Sequence, residues 1–230
     1  MKIHIYYRHA AVNSVGRYRP SWFSYENCFT NLLKTIEGHD NIHLTVVMDG
    51  DDPSNFIHKY KDQYTLFQTN RGSSLDSWRD LLVYVKDQSM APNELIYWVE
   101  NDYLHVDGWV DKVTTLYQSY GGLDYVSLYD HNDKYFLPMY DELVSKIVTT
   151  ENHHWRTTPS TCGTYIVNRD TFDKDYDVKS THVGDHNTFL WLNEHRQRFV
   201  LTPIPGLSTH CMEGLLSPTI DWEQISLNTK

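Results

Sequence analysis

Two carboxylates one residue apart, Glu100 and Asp102, close an apolar run in Tyr97-Trp98-Val99-Glu100-Asn101-Asp102. Side chains alternate along a strand, so both acids point to one side if the strand stays extended. Converging carboxylates repel unless a cation lies between them. Mg²⁺ or Mn²⁺ suits such oxygen ligands and leaves coordination sites for water and phosphate. An isolated acidic triplet is more often a polar turn, and the buried strand ahead of this one is what favours the metal. A second acid, Asp49, follows the apolar run 42–48, where a carboxylate can accept hydrogen bonds from a base or a ribose. Asp51 and Asp52, ahead of Pro53-Ser54, read instead as turn and helix-cap residues. Thr69-Asn70-Arg71-Gly72-Ser73-Ser74 leads a loop into a helix start, where free backbone N–H groups favour anions. A loop and a capped helix with no ligand is an equal reading there.

The elements that position these residues follow from periodicity. Segments 3–7, 42–48, 64–68 and 94–99 read as strands, and the near-continuous apolar runs belong to strands covered on both faces. Residues 24–36 carry Tyr25, Cys28, Phe29, Leu32, Leu33 and Ile36 at helical spacing. Residues 74–88 do the same with Leu75, Trp78, Leu81, Leu82 and Val85. A short helix over 53–60 completes a β-α-β-α-β-α-β order, which implies a mainly parallel sheet flanked by helices with right-handed crossovers. Ligands then belong at the carboxyl ends of the strands. The second half predicts a helix at 108–120, strands at 124–129 and 164–167, and a helix at 185–196. Segment 130–160 is polar and unassigned, and the Pro- and Gly-bearing tail after Thr202 reads as a surface loop.

The order of strand, Asp49-Gly50-Asp51-Asp52-Pro53-Ser54, then Asn70-Arg71-Gly72-Ser73 before a helix, then an apolar strand ending in Glu100-Asn101-Asp102 resembles family-2-type glycosyltransferases of the GT-A fold. The likeness is good over about 1–105 and loose beyond. The family's Asp-x-Asp is Glu-Asn-Asp here, and the loop after the third strand lacks the usual full pattern. The resemblance implies one α/β domain, with a nucleotide-sugar half at about 1–105 and an acceptor half at about 106–230. It implies that Asp102 ligates Mn²⁺ or Mg²⁺, that Asp49 contacts the nucleoside, and that Glu100 meets the ribose or a metal-bound water. Arg8, Asn70, Arg79 and Asn101 complete the implied donor contacts, although Arg8 and Arg79 read equally well as surface cations. Asp185, in Gly184-Asp185-His186-Asn187, resembles the acid that serves as catalytic base in inverting enzymes, with a helix N-cap as its rival reading. His210 resembles the C-terminal histidine that some GT-A enzymes send to the metal, with a core or surface histidine as the alternative. Trp155 and Arg156 are assigned to the acceptor or a lid.

The implied reaction moves a hexose from a UDP- or GDP-sugar to an acceptor hydroxyl with inversion. A non-catalytic GT-A-like binding module and a metal-dependent nucleotide-sugar hydrolase are the rivals. Composition narrows the field from another side. A formal net charge of −10 opposes general nucleic-acid binding, which needs a basic footprint. No run approaches the roughly 20 apolar residues of a membrane span. Three scattered cysteines, Cys28, Cys162 and Cys211, form no CxxC pair or disulfide framework, so a reducing, cytoplasmic setting is expected. Zinc hydrolysis is disfavoured: His182 and His186 have i,i+4 spacing, but Val183 stands where HExxH needs its Glu.

Overall fold

The computed structural model describes residues 1–11, 18–181 and 184–229. Strand β1 (Ile3–Ala10) is followed by helix α1 (Tyr25–Ile36), β2 (Ile42–Asp49), β3 (Thr65–Thr69), α2 (Ser74–Lys86) and β4 (Leu95–Glu100). Then come β5 (Tyr103–His105), α3 (Trp109–Ser119), β6 (Tyr125–Val126), β7 (Ile147–Thr149), β8 (His154–Thr158) and β9 (Tyr165–Asn168). Helices α4 (Arg169–Thr181) and α5 (Asp185–Arg196), strands β10 (Val200–Ile204) and β11 (Ser208–His210), and α6 (Trp222–Leu227) close the chain. The main sheet runs β3-β2-β1-β4-β9-β6-β10-β8-β7, and β11 pairs separately with β5. Strands β3, β2, β1 and β4 are mutually parallel, β9 runs antiparallel to both β4 and β6, and β8 opposes β10. The expected mainly parallel sheet with helices on its faces is what forms.

Strand alternation distributes the core. On β1 and β4, Ile3, Ile5, Tyr7, Tyr97 and Val99 meet Phe29 and Leu32 of α1 and Val113 and Leu116 of α3. Their neighbours Tyr6, Ile96 and Trp98 face Leu81, Leu82 and Val85 of α2, Phe172 of α4 and Phe189 of α5. Ser24 caps α1 by accepting the Asn27 N–H at 3.0 Å, and Ser73 caps α2 through Asp76 N–H. At the other end of α2 the buried Arg169 donates to the carbonyls of Val85, Lys86 and Gln88 at 2.8–3.0 Å. A guanidinium there satisfies orphan carbonyls and opposes the negative end of the helix dipole. Arg169→Ala should therefore cost about 3 kcal/mol, a fall in Tm of roughly 6–12 °C, measured by calorimetry.

The second half departs from expectation in four places. The strand expected at 124–129 pairs only at Tyr125–Val126, after which Tyr129 turns to bridge Ser208. Segment 130–160, unassigned from sequence, holds two 3-10 turns and the hairpin β7–β8. Helix α4 was not expected because Arg-Asp-Thr-Phe-Asp-Lys-Asp-Tyr carries too few apolar residues to show a stripe; its buried face includes Asp175 and Lys179. The tail is not a surface loop: β10 and β11 lie in sheets, and Leu207, Ser208, Thr209, Cys211 and Trp222 are buried. Trp222 and Cys211 pack on Cys28 and Leu104, with the Cys28 and Cys211 sulfurs 3.9 Å apart and both thiols free. Among the described residues no helix is long and apolar enough to cross a membrane.

Candidate functional site

Parallel register brings the carboxyl ends of four strands level: Arg8 lies beside Glu100, Ala10 beside Asp49, and Asp49 beside Thr69. The chain builds β2 and β3 on one side of β1 and then crosses to β4 on the other, so a crevice opens where the order reverses. A cavity of about 510 Å³ occupies it, lined among others by Arg8, Asp49, Asp51, Asn70, Ser73, Glu100, Asn101 and Asp102. A second cavity of about 320 Å³ adjoins it, lined by Arg8, Ser74, Trp78, Glu100, Gly163, Lys179 and Asp185 among others. Arg8, Ser74 and Glu100 border both. Arg8 is pinned at this junction: it donates to Glu100 Oε1 at 3.3 Å and to Ser74 Oγ at 2.9 Å, with its guanidinium over the Trp78 ring.

Within the larger cavity each acid is held differently. Asp49 Oδ1 accepts from the Thr69 hydroxyl at 2.9 Å and from the Arg71 backbone N–H at 2.6 Å, which fixes it at the β2 terminus. Asp52 binds Ser54 as a turn residue, as expected, whereas Asp51 lines the cavity. Strand β4 ends at Glu100, and Asn101 and Asp102 form a turn. That turn is fixed by Tyr7, whose hydroxyl donates to Asn101 O at 3.1 Å, and by Asn101 Nδ2, which lies 3.1 Å from His9 Nδ1. Glu100 and Asp102 thus reach one cavity through a turn rather than an extended strand. Burial pushes the Glu100 carboxyl up, against the opposing pull of Arg8.

Asp102 is 8% exposed, and β11 brings His210 to it. His210 Nε2 lies 3.0 Å from Asp102 Oδ2, and Arg19 Nη2 donates to the same oxygen at 2.6 Å. Burial raises the Asp102 carboxyl, but the hydrogen bonds and charges of His210 and Arg19 outweigh it and the net shift is downward. His210 moves the other way. Burial lowers it, hydrogen bonds to Asp102 and Cys162 raise it, and it ends at about 10. Asp102 Oδ1 is buried with no hydrogen-bond partner among the described residues. An orphaned carboxylate oxygen is costly and is the atom a cation would take. No cluster of three His, Cys, Asp or Glu ligands occurs among the described residues. Magnesium-type sites, however, are commonly completed by one or two carboxylates plus phosphate and water; Asp102 fits that pattern, whereas His210 would ligate only after giving up its proton and its bond to Asp102.

The smaller cavity holds Asp185, and its helix-cap reading is corrected here. Gly184 is the N-cap of α5, with φ 89°, and makes no side-chain cap bond; Asp185 is the first helical residue. Its Oδ2 accepts from the Thr161 hydroxyl at 2.7 Å, and the next residue, His186, binds Ser160 Oγ through Nδ1 at 2.8 Å. Loop 159–164 is thereby tied to α5, and it carries two further contacts that sequence reasoning missed. The Cys162 side chain supports His210. Gly163, with φ +68°, lies so close to Glu100 that an added Cβ would sit 2.9 Å from the carboxylate. A Thr-Cys-Gly-Thr run between two strands was the available signal. Gly163→Ala must displace Glu100 or the loop, and positive φ adds strain. We expect it to fold, with nucleotide-dependent melting shifts reduced at least several-fold in a titration.

The remaining residues expected at the site separate from it. Arg79 lies outside both linings and pairs with Asp76 at the surface. Trp155 is wholly buried in the core, and Arg156 forms a buried ion pair with Asp130 at 2.7 Å. Their assignment to the acceptor or a lid is corrected to framework roles: β8 is an interior strand, so its aromatic side chain packs inward. His182 and Val183 lie outside the described residues, so the zinc pairing of His182 with His186 has no counterpart in the described structure.

The chain is similar to S. aureus TarS residues 1–349, a GT-A-like glycosyltransferase, with a TM-score of 0.54 at 12% identity over 88% of this chain and 58% of that one. A longer TarS structure gives a TM-score of 0.52 at 13% identity, covering 88% and 35% respectively. A cytidylyltransferase from Leptospira borgpetersenii serovar Hardjo-bovis (strain JB197) also aligns, with a TM-score of 0.45 and 10% identity over 86% and 73%. The chain thus has a GT-A-like fold, and it spans little more than half of the shorter TarS structure. Neither a protein-family model nor a curated protein sequence matches it.

Proposed function

We propose that this chain transfers a sugar from a UDP- or GDP-sugar to an acceptor hydroxyl, with inversion at the anomeric carbon. The observation that carries this reading is the pair of joined cavities, with Asp49 and Asp102 in one and Asp185 in the other. The larger cavity takes the nucleotide. Asp49 and Asn70 meet the nucleoside, while Arg8 and the α2 N-terminus at Ser73-Ser74 meet the diphosphate. Its lining carries Asp49, Asp51, Glu100 and Asp102 against one arginine, so a diphosphate enters favourably only with a cation. Asp102 and His210 would hold Mn²⁺ or Mg²⁺ there, and when bound the ion offsets negative charge on the departing diphosphate.

Asp185, held by Thr161, takes the proton of the acceptor hydroxyl as its oxygen bonds to the anomeric carbon. The bond from that carbon to the diphosphate breaks on the opposite face, and the diphosphate leaves with the electron pair. Donor-hydrolysis and melting assays with Mn²⁺ across UDP-, GDP- and CMP-sugars test the reading. A nucleotide-dependent rise in Tm, with sugar release or transfer, is the expected result. If no nucleotide shifts Tm in the presence of Mn²⁺, the donor site is wrong. Binding without turnover leaves a binding module, and sugar release that no acceptor diverts leaves a hydrolase. Asp102→Ala should lose the Mn²⁺-dependent part of the nucleotide shift; its retention would remove Asp102 as ligand.

A further inference from the structure

The smaller cavity contains a cation that the transfer reading does not use. Lys179, on α4, is 7% exposed and lies in a cage of aromatic rings, with Nζ 3.6 Å from the Phe189 ring centroid, 4.5 Å from Tyr165 and 4.8 Å from Tyr125. Ring faces attract an ammonium but accept none of its three N–H bonds in the manner of an oxygen. Among the described residues no oxygen or nitrogen hydrogen-bonds to Nζ, and no carboxylate forms an ion pair with it. The two carboxylates whose charge it feels are committed elsewhere. Asp175 is held by Arg196 at 3.0 Å, by Arg198 at 2.9 and 3.1 Å, and by the Tyr125 hydroxyl at 2.8 Å. Asp185 accepts from Thr161. Burial without a counter-ion drags the Lys179 ammonium down to about 8, against the pull of both acids.

A buried ammonium with no oxygen partner among the described residues, in the wall of an open cavity, is completed by what enters that cavity. A neutral hydroxyl satisfies one N–H and leaves the charge uncompensated. An anionic oxygen does both, and charge-assisted hydrogen bonds are the stronger kind. Arg8, the other cation in the wall, is shared between Glu100 and the donor diphosphate of the proposed reaction, so Lys179 is where an acceptor's anion is matched. At about 320 Å³ the cavity lies at the low end of small-molecule sites, roughly 300–1,000 Å³, which suits a single sugar-sized group. We propose that the smaller cavity is an acceptor subsite for a hydroxyl compound bearing a carboxylate or phosphate, whose anionic oxygen docks on Lys179 while its hydroxyl faces Asp185. The acceptor role rests on the transfer reading of Asp185.

Calorimetric titration with glucose, glucuronate and glucose 6-phosphate, in the presence of UDP and Mn²⁺, tests it. At least one of the two anions is expected to bind tenfold or more tightly than glucose, and which of them does so separates carboxylate from phosphate recognition. Lys179→Met, whose apolar side chain fits the same cage, should bring that anion to the affinity of glucose. Equal affinities for all three compounds, or none measurable, overturn the inference without recourse to a variant. So does a preference that survives Lys179→Met in a protein with a cooperative melting curve. The donor reading fails on a different result, the absence of any UDP-dependent rise in Tm, which is independent of how the three sugars compare.

Discussion

Asp185→Asn is expected to lower kcat for sugar transfer by about 10³-fold, within the 10²- to 10⁴-fold range of a lost general base, while the nucleotide-dependent rise in Tm stays within error of the wild type. The substitution keeps the side-chain volume and preserves an oxygen for the Thr161 hydroxyl, which donates at 2.7 Å. It removes the negative charge and, with it, the capacity to accept a proton. Because Gly184 and not Asp185 occupies the N-cap position, no capping bond is lost. What remains is the attraction between an acid and the helix N-terminus, typically 0.3–1 kcal/mol. Stability and rate therefore come apart, and that separation distinguishes a base from a helix-end acid. Transfer that continues undiminished in Asp185→Asn would remove it from the chemistry. A large drop in Tm without a rate effect would assign it to the helix.

The separation was not legible in the sequence, and the reason is geometric. Gly184-Asp185-His186 fits a helix start in either register, and only φ 89° at Gly184 settles which residue caps. The acids at the ends of β2 and β4 were legible because long apolar runs announced their strands, and a parallel sheet leaves only one end for ligands. Their partners were not. Arg19 is 83 residues from Asp102 and in no motif with it, and Cys162 and Gly163 lie in a loop whose value depends on Glu100 being underneath. Lys179 illustrates the limit most clearly: in a helix with four aspartates and three basic residues it reads as solvated, yet tertiary packing closes aromatic rings over it. Trp155 errs in the opposite sense. A tryptophan beside an arginine in a polar stretch suggested a ligand contact, but the strand around it belongs to the sheet interior.

The second large effect is a loss of stability in acid well above the carboxylate range. His9 and His105 are buried, and burial lowers them to about 4 and about 3 from an ordinary 6.5; for His9 the Asn55 hydrogen bond pulls weakly the other way. His105 Nε2 lies 2.7 Å from the Tyr97 hydroxyl, while its Nδ1 has no partner among the described residues, so an imidazolium there would be buried with its Nδ1–H unpaired. The sign follows from proton counting. Above pH 6.5 both rings are neutral in folded and unfolded chains, and their contribution to stability is complete. Below pH 6.5 the unfolded chain takes up protons that the folded chain refuses until pH 4 or 3. Each ring therefore costs about 1.4 kcal/mol per pH unit across that window. These two rings from pH 6 to pH 4.5 amount to roughly 4 kcal/mol, or a fall in Tm of about 8–16 °C, and His131, buried and also held well below 6.5, adds to the fall. Most carboxylates are still ionised over that interval, which assigns the slope to histidine. Calorimetric Tm values at pH 7, 6, 5.25 and 4.5 measure it, and His105→Gln, which keeps a hydrogen-bonding group for Tyr97, should flatten the slope by about 1.4 kcal/mol per pH unit, the share of one ring. A Tm that stays level between pH 6 and 4.5 would show that neither ring is held neutral by the fold.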